Sequence, residues 1–240
     1  YQYGVPMSRL IQDNQLPDPS QLVVGQTLVI QYPRSTYTVR SGDTLFSIAR
    51  NAGVPLRQLL RNNPGLEGGD RIYPGQELVL TYQQEKQGVL SVNGYAYPNI
   101  APALLQRTLP FLSSLAPFTY RPTVRWDLIP LSDNAMVAAA QVMGVRPLLH
   151  LANLTEADSF SGELAHALLS SLEARTRLAD HLMELLHRNG YRGIDVDLES
   201  IFPEDAQNYV RFLFLLRERL EPLGYPLLAA LAPKTSACQQ

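Results

Sequence analysis

The sequence predicts an α/β protein in which two small βααβ units precede a (β/α)8 TIM barrel. Three observations predict this fold class: an internal repeat in the first third, an alternation of strand-like and helix-like segments after it, and one strand that carries three carboxylates. The predicted domains are 1–34 and 35–82 for the small units, 83–87 for a polar linker and 88–240 for the barrel. Hydrophobic residues make up 45% of the chain, which is ordinary for a globular protein.

The first third contains one unit twice. Residues 3–10 match 52–59, Asn14 matches Asn63, and 25–30 match 75–80, with one residue of length difference in the loop. The second copy also has a segment before the match, so the repeat predicts that about thirteen residues of the first copy are missing before Tyr1.

Each copy is predicted to fold as strand, helix, helix, strand. In the second copy, 36–39 has high β-propensity, and Asp43 or Thr44 can cap the helix that follows. A second helix begins near Pro55, and 76–81 is the returning strand.

The second copy resembles the LysM module, a βααβ domain of cell-wall and chitin-binding proteins. The matching segments are 37–39, 41–45, 48–49, 63–64 and 72–78. The resemblance implies a groove for N-acetylglucosamine polymers, lined by Gly42, Asp43, Thr44, Leu45, Asn63, Pro64, Gly65 and Ile72. Taken singly, each is better explained by a structural role, with Asp43 as a helix cap, Leu45 and Ile72 as core and Gly65 as a turn residue, so only the combination indicates a glycan. Two modules in tandem would gain avidity on a repeating polymer.

The rest of the chain alternates between strands and helices. Strands are predicted near 89–93, 115–118, 147–151, 193–198 and 227–231, and helices near 101–111, 133–143, 163–189 and 206–220. No hairpin signal interrupts them, which favours a parallel barrel, with a doubly wound open sheet as the alternative. Because a barrel typically needs about 250 residues, we expect only about the first five βα units in 88–240. The remaining strands could be supplied by a separate polypeptide.

The run from Gly193 to Glu199 places Asp195, Asp197 and Glu199 on one face of a strand and apolar residues on the other. In a parallel sheet this acidic face would be enclosed, where an unpaired carboxylate costs several kcal/mol. Glu199 should lie at the mouth as a general acid with a raised pKa. A solvated face and a Mg²⁺ or Ca²⁺ site are the alternatives.

This strand resembles the DxxDxDxE motif of glycoside hydrolase family 18, with Arg192 in place of the first Asp. The resemblance implies a substrate-assisted mechanism in which Glu199 is acid and base, Asp197 orients the acetamide and Asp195 supports Asp197. Secondary matches lie at 94–98, where Tyr95 or Tyr97 could stack on a sugar, and at 232–236. Together with LysM, the pattern resembles spore-cortex and germination hydrolases of the YaaH/SleL type.

These features predict an extracytoplasmic hydrolase of the cell wall, spore coat or cortex that binds peptidoglycan or a chitin-like polymer. A net charge of −2 argues against nucleic acid or anionic membrane as partners, and no apolar stretch reaches the length of a membrane span. Four scattered histidines and the single Cys238 offer no metal-ligand spacing, so no metal and no cofactor are expected. A chitinase and a non-catalytic wall-binding protein are the alternatives.

Overall fold

The computed structural model describes residues 3–66, 71–83 and 88–231. Its packing divides the chain into two compact units, Tyr1–Val92 with Ala101–Leu112, and Asn93–Ile100 with Ser113–Gln240. Both repeats therefore lie in the first unit, which also takes in the helical segment 101–112. The predicted match at 232–236 lies outside the described residues.

The first repeat contains helix α1 (Met7–Asp13), and the next residue, Asn14, joins the end of this helix to the segment around Val29. The Asn14 side chain donates hydrogen bonds to the Leu10 and Val29 carbonyls and accepts one from the Val29 N–H. The predicted return strand at 25–30 is wrong, because no strand forms there. Val29 pairs with an amide side chain, and the described part of the first repeat supplies no partner strand.

The second repeat has the predicted βααβ order. Strand β1 (Pro33–Thr38) pairs antiparallel with β2 (Glu77–Tyr82), and the helices between them are α2 (Leu45–Ala52) and α3 (Leu56–Asn62). Thr44 is the N-cap of α2, and it exchanges hydrogen bonds with Ser47 in a capping box.

Asn63 makes the same three side-chain hydrogen bonds to the backbone as Asn14, and we call this arrangement an asparagine bracket. Its side chain donates to the Leu59 and Val79 carbonyls and accepts from the Val79 N–H, each at 2.8 Å. The two asparagines are 49 positions apart and the two valines 50, so the structure reproduces the repeat alignment together with its one-residue difference in loop length.

The second unit is built from short parallel strands that lie beside one another in chain order. In sequence, the elements from residue 93 onwards are β3 (Asn93–Ala96), α4 (Pro102–Thr108, packed with the first unit), β4 (Ser114–Pro117), β5 (Arg121–Pro122), β6 (Leu128–Ile129), α5 (Asn134–Val142), β7 (Arg146–Pro147), β8 (Leu149–Ala152), α6 (Gly162–Leu169), α7 (Leu172–Asn189), β9 (Ile194–Asp197), α8 (Ala206–Leu220) and β10 (Leu227–Ala229). One parallel sheet has the order β3-β4-β7, and the other β8-β9-β10.

The predicted strand at 147–151 joins the two sheets. The Leu148 N–H donates to the Leu115 carbonyl in β4, whereas the Leu149 N–H donates to the Gly193 carbonyl beside β9. The chain therefore changes partners at Leu148, and the five predicted strand positions follow one another in the predicted parallel order. Over the described residues these strands do not close into a barrel.

Three predicted elements differ from the structure. β3 begins at Asn93, because Val89 and Leu90 are exposed and unsuited to an enclosed strand. The predicted helix 163–189 is two helices, since Ser171 caps a new one by accepting a hydrogen bond from the Ala174 N–H. No hairpin is predicted between 118 and 133, but β5 and β6 form an antiparallel ribbon there.

The core of the second unit lies between its strands and helices. Leu149 and Leu151 of β8 and Ile194 and Val196 of β9 are buried against α7 and α8. Gly190 ends α7 in the left-handed conformation, as its sequence position predicts. Among the described helices, none has both the length and the apolar character needed to cross a membrane.

Candidate active site

Strand β9 carries the acids on the side opposite the apolar core. Ile194 and Val196 are fully buried on one face, and Asp195 and Asp197 lie on the other with 1% and 8% of their surfaces exposed. Glu199 follows the C-terminal end of the strand and is partly exposed. The alternation predicted from the sequence is therefore present, and the acids become more exposed toward the end of the strand.

Gly193 is required where β9 begins, because neighbours approach it from two sides. A Cβ atom there would lie 2.7 Å from the Pro226 carbonyl oxygen and 2.7 Å from the Leu148 side chain. Any larger residue would push apart β8, β9 and β10, and the position of the acids would change with them.

Glu199 is held through its backbone by Asn153, a residue that the sequence analysis did not single out. The Glu199 N–H donates to Asn153 Oδ1 at 2.9 Å, and Asn153 Nδ2 donates to the Glu199 carbonyl at 2.8 Å. Asn153 Nδ2 also donates to the Ser161 carbonyl, and the residue is fully buried. The backbone at Glu199 is thus fixed to the loop after β8.

Tyr95 contacts an acid. Its hydroxyl donates a 2.7 Å hydrogen bond to Asp195 Oδ2. Burial, together with this bond and the Asp195 charge, raises the pKa of Tyr95 to about 12, so the phenol stays protonated and remains a donor. The structure therefore gives Tyr95 a carboxylate partner, whereas its ring was predicted as a sugar-stacking surface.

Asp197 has the most perturbed environment of the three acids. Burial, followed by the charges of Glu199 and Asp195, raises its pKa from 3.8 to about 6. Its Oδ1 atom is buried without a hydrogen-bond partner, and its Oδ2 atom lies 3.6 Å from His150 Nε2. Burial lowers the pKa of His150, and the Asp195 charge opposes that effect.

Asp197, Glu199 and His150 line a pocket of about 410 Å³. Its walls are formed by Tyr95, Ala96, Tyr97, Phe118, His150, Asp197, Glu199 and Ala230. The rings of Tyr97 and Phe118 pack edge to face, with centroids 5.2 Å apart. Asp195 does not line the pocket and lies behind Asp197. A pocket with aromatic walls and two carboxyl groups suits a sugar that is to be protonated.

Arg192, which replaces the first acid of the motif, does not line this pocket. Its side chain is exposed, and the guanidinium lies 5.9 Å from the Tyr225 ring centroid. Its backbone N–H donates to the Pro147 carbonyl. Within the described residues, the Arg192 side chain therefore takes no part in the pocket that Asp197 and Glu199 line.

The residues predicted to bind glycan in the second repeat have mostly structural contacts. Asp43 accepts hydrogen bonds from the Tyr37 hydroxyl and the Arg40 N–H, and the Asn63 side chain is committed to its bracket. Leu45 is buried, Gly42 has a φ of 86°, and Ile72 is half-buried. Pro64 and Gly65 line a separate groove of about 870 Å³ in the first unit.

Among the described residues, no group of three His, Cys, Asp or Glu side chains could hold a metal ion. His150, Thr119 and Asn153 are the polar residues at the site that sequence reasoning missed. No local pattern marks them, because all three are far in sequence from the acids of β9 and reach them only through contacts made after folding.

The family comparison matches the LysM domain at residues 1–31 and 37–81. The chain is 33% identical over 98% of its length to "Putative sporulation-specific glycosylase YdhD" of Bacillus subtilis, and 32% identical over 99% to "Cortical fragment-lytic enzyme" of Bacillus anthracis. It covers 55% and 56% of these relatives, so it spans about half of their length.

Solved structures resemble the chain in the same way. The spore cortex-lytic enzyme SleL of Bacillus cereus matches 99% of this chain and 56% of its own, with 30% identity and a TM-score of 0.66. A class V chitinase from Pseudomonas fluorescens matches 62% of this chain and 47% of its own, with a TM-score of 0.56. At 19% identity the chitinase shows a shared fold only.

Proposed function

Because this chain carries LysM domains and is homologous to spore cortex-lytic glycosylases of the SleL and YdhD type, we propose that it is a peptidoglycan hydrolase with N-acetylglucosaminidase activity. The proposed reaction is that of glycoside hydrolase family 18, on a (β/α)8 barrel of which this chain holds the first strands. One observation carries the proposal: Glu199 and Asp197 line one pocket, with Asp195 behind them.

In the proposed mechanism, Glu199 donates its proton to the glycosidic oxygen as the bond to the anomeric carbon breaks. The carbonyl oxygen of the substrate's own 2-acetamido group attacks the anomeric carbon and forms an oxazolinium ion. Water then opens that ring, and Glu199 takes the proton back. The protein needs no nucleophile of its own, which suits a pocket in which Asp197 is buried beside the reacting centre.

Asp197 would hold the acetamide by accepting a hydrogen bond from its N–H. Its Oδ1 atom is buried and has no protein partner, so an incoming N–H would satisfy it. Asp195, fixed by the Tyr95 hydroxyl, adds negative charge behind Asp197 and so favours the cationic intermediate. Tyr97 and Phe118 would cover the sugar ring, since both line the pocket.

The LysM repeats would hold the enzyme on its insoluble polymer, and the place of action would be the cell wall or the spore cortex, outside the cytoplasm. Peptidoglycan and chitin share the acetamido sugar on which this mechanism depends, so a chitinase is the rival. Mass spectrometry of products from cortex fragments and from chitin separates the two, because only the proposed enzyme releases muropeptides.

The proposal is tested by Glu199→Gln. We expect turnover of cortex fragments to fall by about 10²-fold or more, since a carboxamide is too weak an acid to protonate the glycosidic oxygen, while retention on insoluble peptidoglycan is unchanged. Glu218→Gln is the matched control, because Glu218 is an exposed glutamate of α8 that does not line the pocket. Undiminished turnover in Glu199→Gln would remove this residue from the mechanism.

A further inference from the structure

His150 is fixed between a hydroxyl and a carboxyl group in the proposed active site. The side chain is 1% exposed, its Nδ1 atom lies 2.6 Å from Thr119 Oγ1, and its Nε2 atom faces Asp197 Oδ2 at 3.6 Å. The rings of Tyr95 and Phe118 pack on the imidazole at 5.3 and 5.0 Å between centroids. The imidazole therefore keeps one orientation, with a different polar partner at each nitrogen.

The Thr119 hydroxyl has a choice of acceptors. Besides His150 Nδ1, it is within reach of the His150 carbonyl at 3.2 Å and the Tyr120 carbonyl at 3.3 Å. A hydroxyl donates one hydrogen bond and can accept two. It can therefore donate to a carbonyl while accepting from Nδ1–H, or turn and donate to a bare Nδ1.

A neutral imidazole carries one proton, so the state of Nδ1 decides what Nε2 offers. When Nδ1 is protonated, Nε2 is an acceptor, and when Nδ1 accepts from Thr119, Nε2–H is a donor. Burial holds the pKa of His150 below its ordinary value, which favours the neutral ring in both cases. Either tautomer fits the surroundings without a change of backbone.

Asp197, which faces His150 Nε2, requires a different hydrogen-bond partner in each of its protonation states. A protonated Asp197 needs an acceptor for its O–H, and an ionised Asp197 needs a donor, since its other oxygen has no protein partner. We propose that His150 and Thr119 form a tautomer relay, which offers Asp197 an acceptor nitrogen while the acid is protonated and an N–H donor once it is ionised. This inference rests on the proposed function, because it concerns the same pocket.

The protons balance in this relay. As Asp197 ionises, its O–H proton passes to Nε2 and the proton on Nδ1 is released to solvent, while the Thr119 hydroxyl rotates from a carbonyl to Nδ1. One proton is released in total, and the ring stays neutral. The new Nε2–H then faces Oδ2 of the ionised acid, 3.6 Å away, and Oδ1 stays free for the acetamide N–H of a substrate.

Other titratable groups surround the pair. Asp195 is two residues before Asp197 on β9, and Glu199 follows the same strand. Tyr95 of β3 packs edge to face against the imidazole, and its hydroxyl donates a hydrogen bond to Asp195. The charges of both aspartates also act on Tyr209 of α8. Together with burial, which is the larger cause, they raise its pKa to about 12, so the phenol stays protonated. The Asp195 charge acts on both Asp197 and His150. It contributes to the raised pKa of Asp197, and it partly offsets the lowering of the His150 pKa by burial.

The relay is tested by ¹⁵N NMR of the imidazole in the whole protein, followed from about pH 4 to 8. In the wild type, we expect the pyrrole-like and pyridine-like ¹⁵N signals of His150 to exchange between Nδ1 and Nε2 as Asp197 titrates. Thr119→Ser should keep this exchange, and Thr119→Val, of similar shape but without the hydroxyl, should lose it. Asp197→Asn should lose it as well.

Three results would overturn the proposal: one nitrogen that keeps its proton throughout, a second proton on the ring as the pH falls, or exchange that persists in Thr119→Val. If Thr119→Val does not fold, the wild type decides the first two outcomes, and exchange that persists in Asp197→Asn would overturn the relay. These signals need no substrate, so a failed relay and a failed Glu199→Gln test can be told apart.

Discussion

Asp197 is an acid whose surroundings in the pocket oppose its ionisation. It lies between Asp195, which is fixed by Tyr95, and Glu199, which is fixed by Asn153, and only Asp197 has a buried oxygen without a partner. Burial and two like charges oppose its ionisation. From the sequence alone, a raised pKa is expected for Glu199 at the mouth of the site. The structure shows a raised pKa one step deeper, at Asp197, where burial is greater.

This perturbation predicts a pH dependence of stability. The folded-state pKa of Asp197 is about 6 and its ordinary value 3.8, so between these pH values the folded chain holds a proton that the unfolded chain has released. The Asp197 contribution to stability therefore decreases as the pH rises from about 4 to 6, by up to about 3 kcal/mol.

Asp197→Asn should abolish this particular decrease. We measure the free energy of unfolding with urea at about pH 4 and about pH 7. Between these pH values, we expect the wild type to lose stability relative to the variant, because only the wild type must release the Asp197 proton. Equal pH dependence in both proteins would contradict a raised pKa at this carboxyl.

The site contains residues that the sequence predicts and residues that only the folded structure identifies. Asp195, Asp197 and Glu199 could be predicted because alternation along a strand is a local rule. His150, Thr119 and Asn153 could not, because they are brought to the acids by strand pairing between distant parts of the chain. His150 was one of four histidines without metal spacing, and only its neighbours distinguish it from the rest.

At the scale of elements, short strands place the chemistry accurately because each has a fixed register. β8 and β9 pair so that His150 lies beside Asp195 and Ala152 beside Asp197. Gly193 permits the close approach of β10 at the start of β9. A shift of one residue in β9 would turn the acids toward the apolar core, and the same shift in β8 would turn His150 there.

The two asparagine brackets are a matched pair for testing burial. Asn63→Ala should lower the free energy of unfolding of the first unit by about 3 kcal/mol, because it leaves buried groups of Leu59 and Val79 without partners. Asn14→Ala should cost about 1 kcal/mol, since the bonds of Asn14 to Val29 are exposed and water replaces them.

Chemical denaturation followed by circular dichroism measures both values. Equal losses in the two variants would show that burial does not distinguish the brackets. A larger loss in Asn14→Ala would mean that the first copy, and not the second, limits the stability of this unit.

At the scale of the molecule, the chain consists of two compact units, and the proposed function assigns them different tasks. We predict that Asp43→Ala weakens retention on insoluble peptidoglycan by about tenfold, because Asp43 orders the loop that the LysM resemblance places at the glycan. Hydrolysis of soluble fragments should be unchanged.

Asp18→Ala is the control for this prediction. Asp18 also accepts local hydrogen bonds, from the Ser20 N–H and hydroxyl, but it lies in an exposed loop that no glycan match includes. A polymer pull-down and a soluble-fragment assay on the same preparations give both readouts. An equal fall in hydrolysis by Asp43→Ala would contradict separate tasks.

The sequence by itself determined the repeat, the parallel order of the strands and the acidic face, because periodicity is a property of neighbouring residues and a regular alternation of strands and helices implies parallel strands. It did not determine the β5–β6 ribbon, the break before Ser171 or the missing strand in the first copy. Those depend on which partner a backbone group finds in space. The tertiary structure alone also decided which groups surround Asp197, since burial and nearby charge, and not the residue type, set the energy of its ionised form.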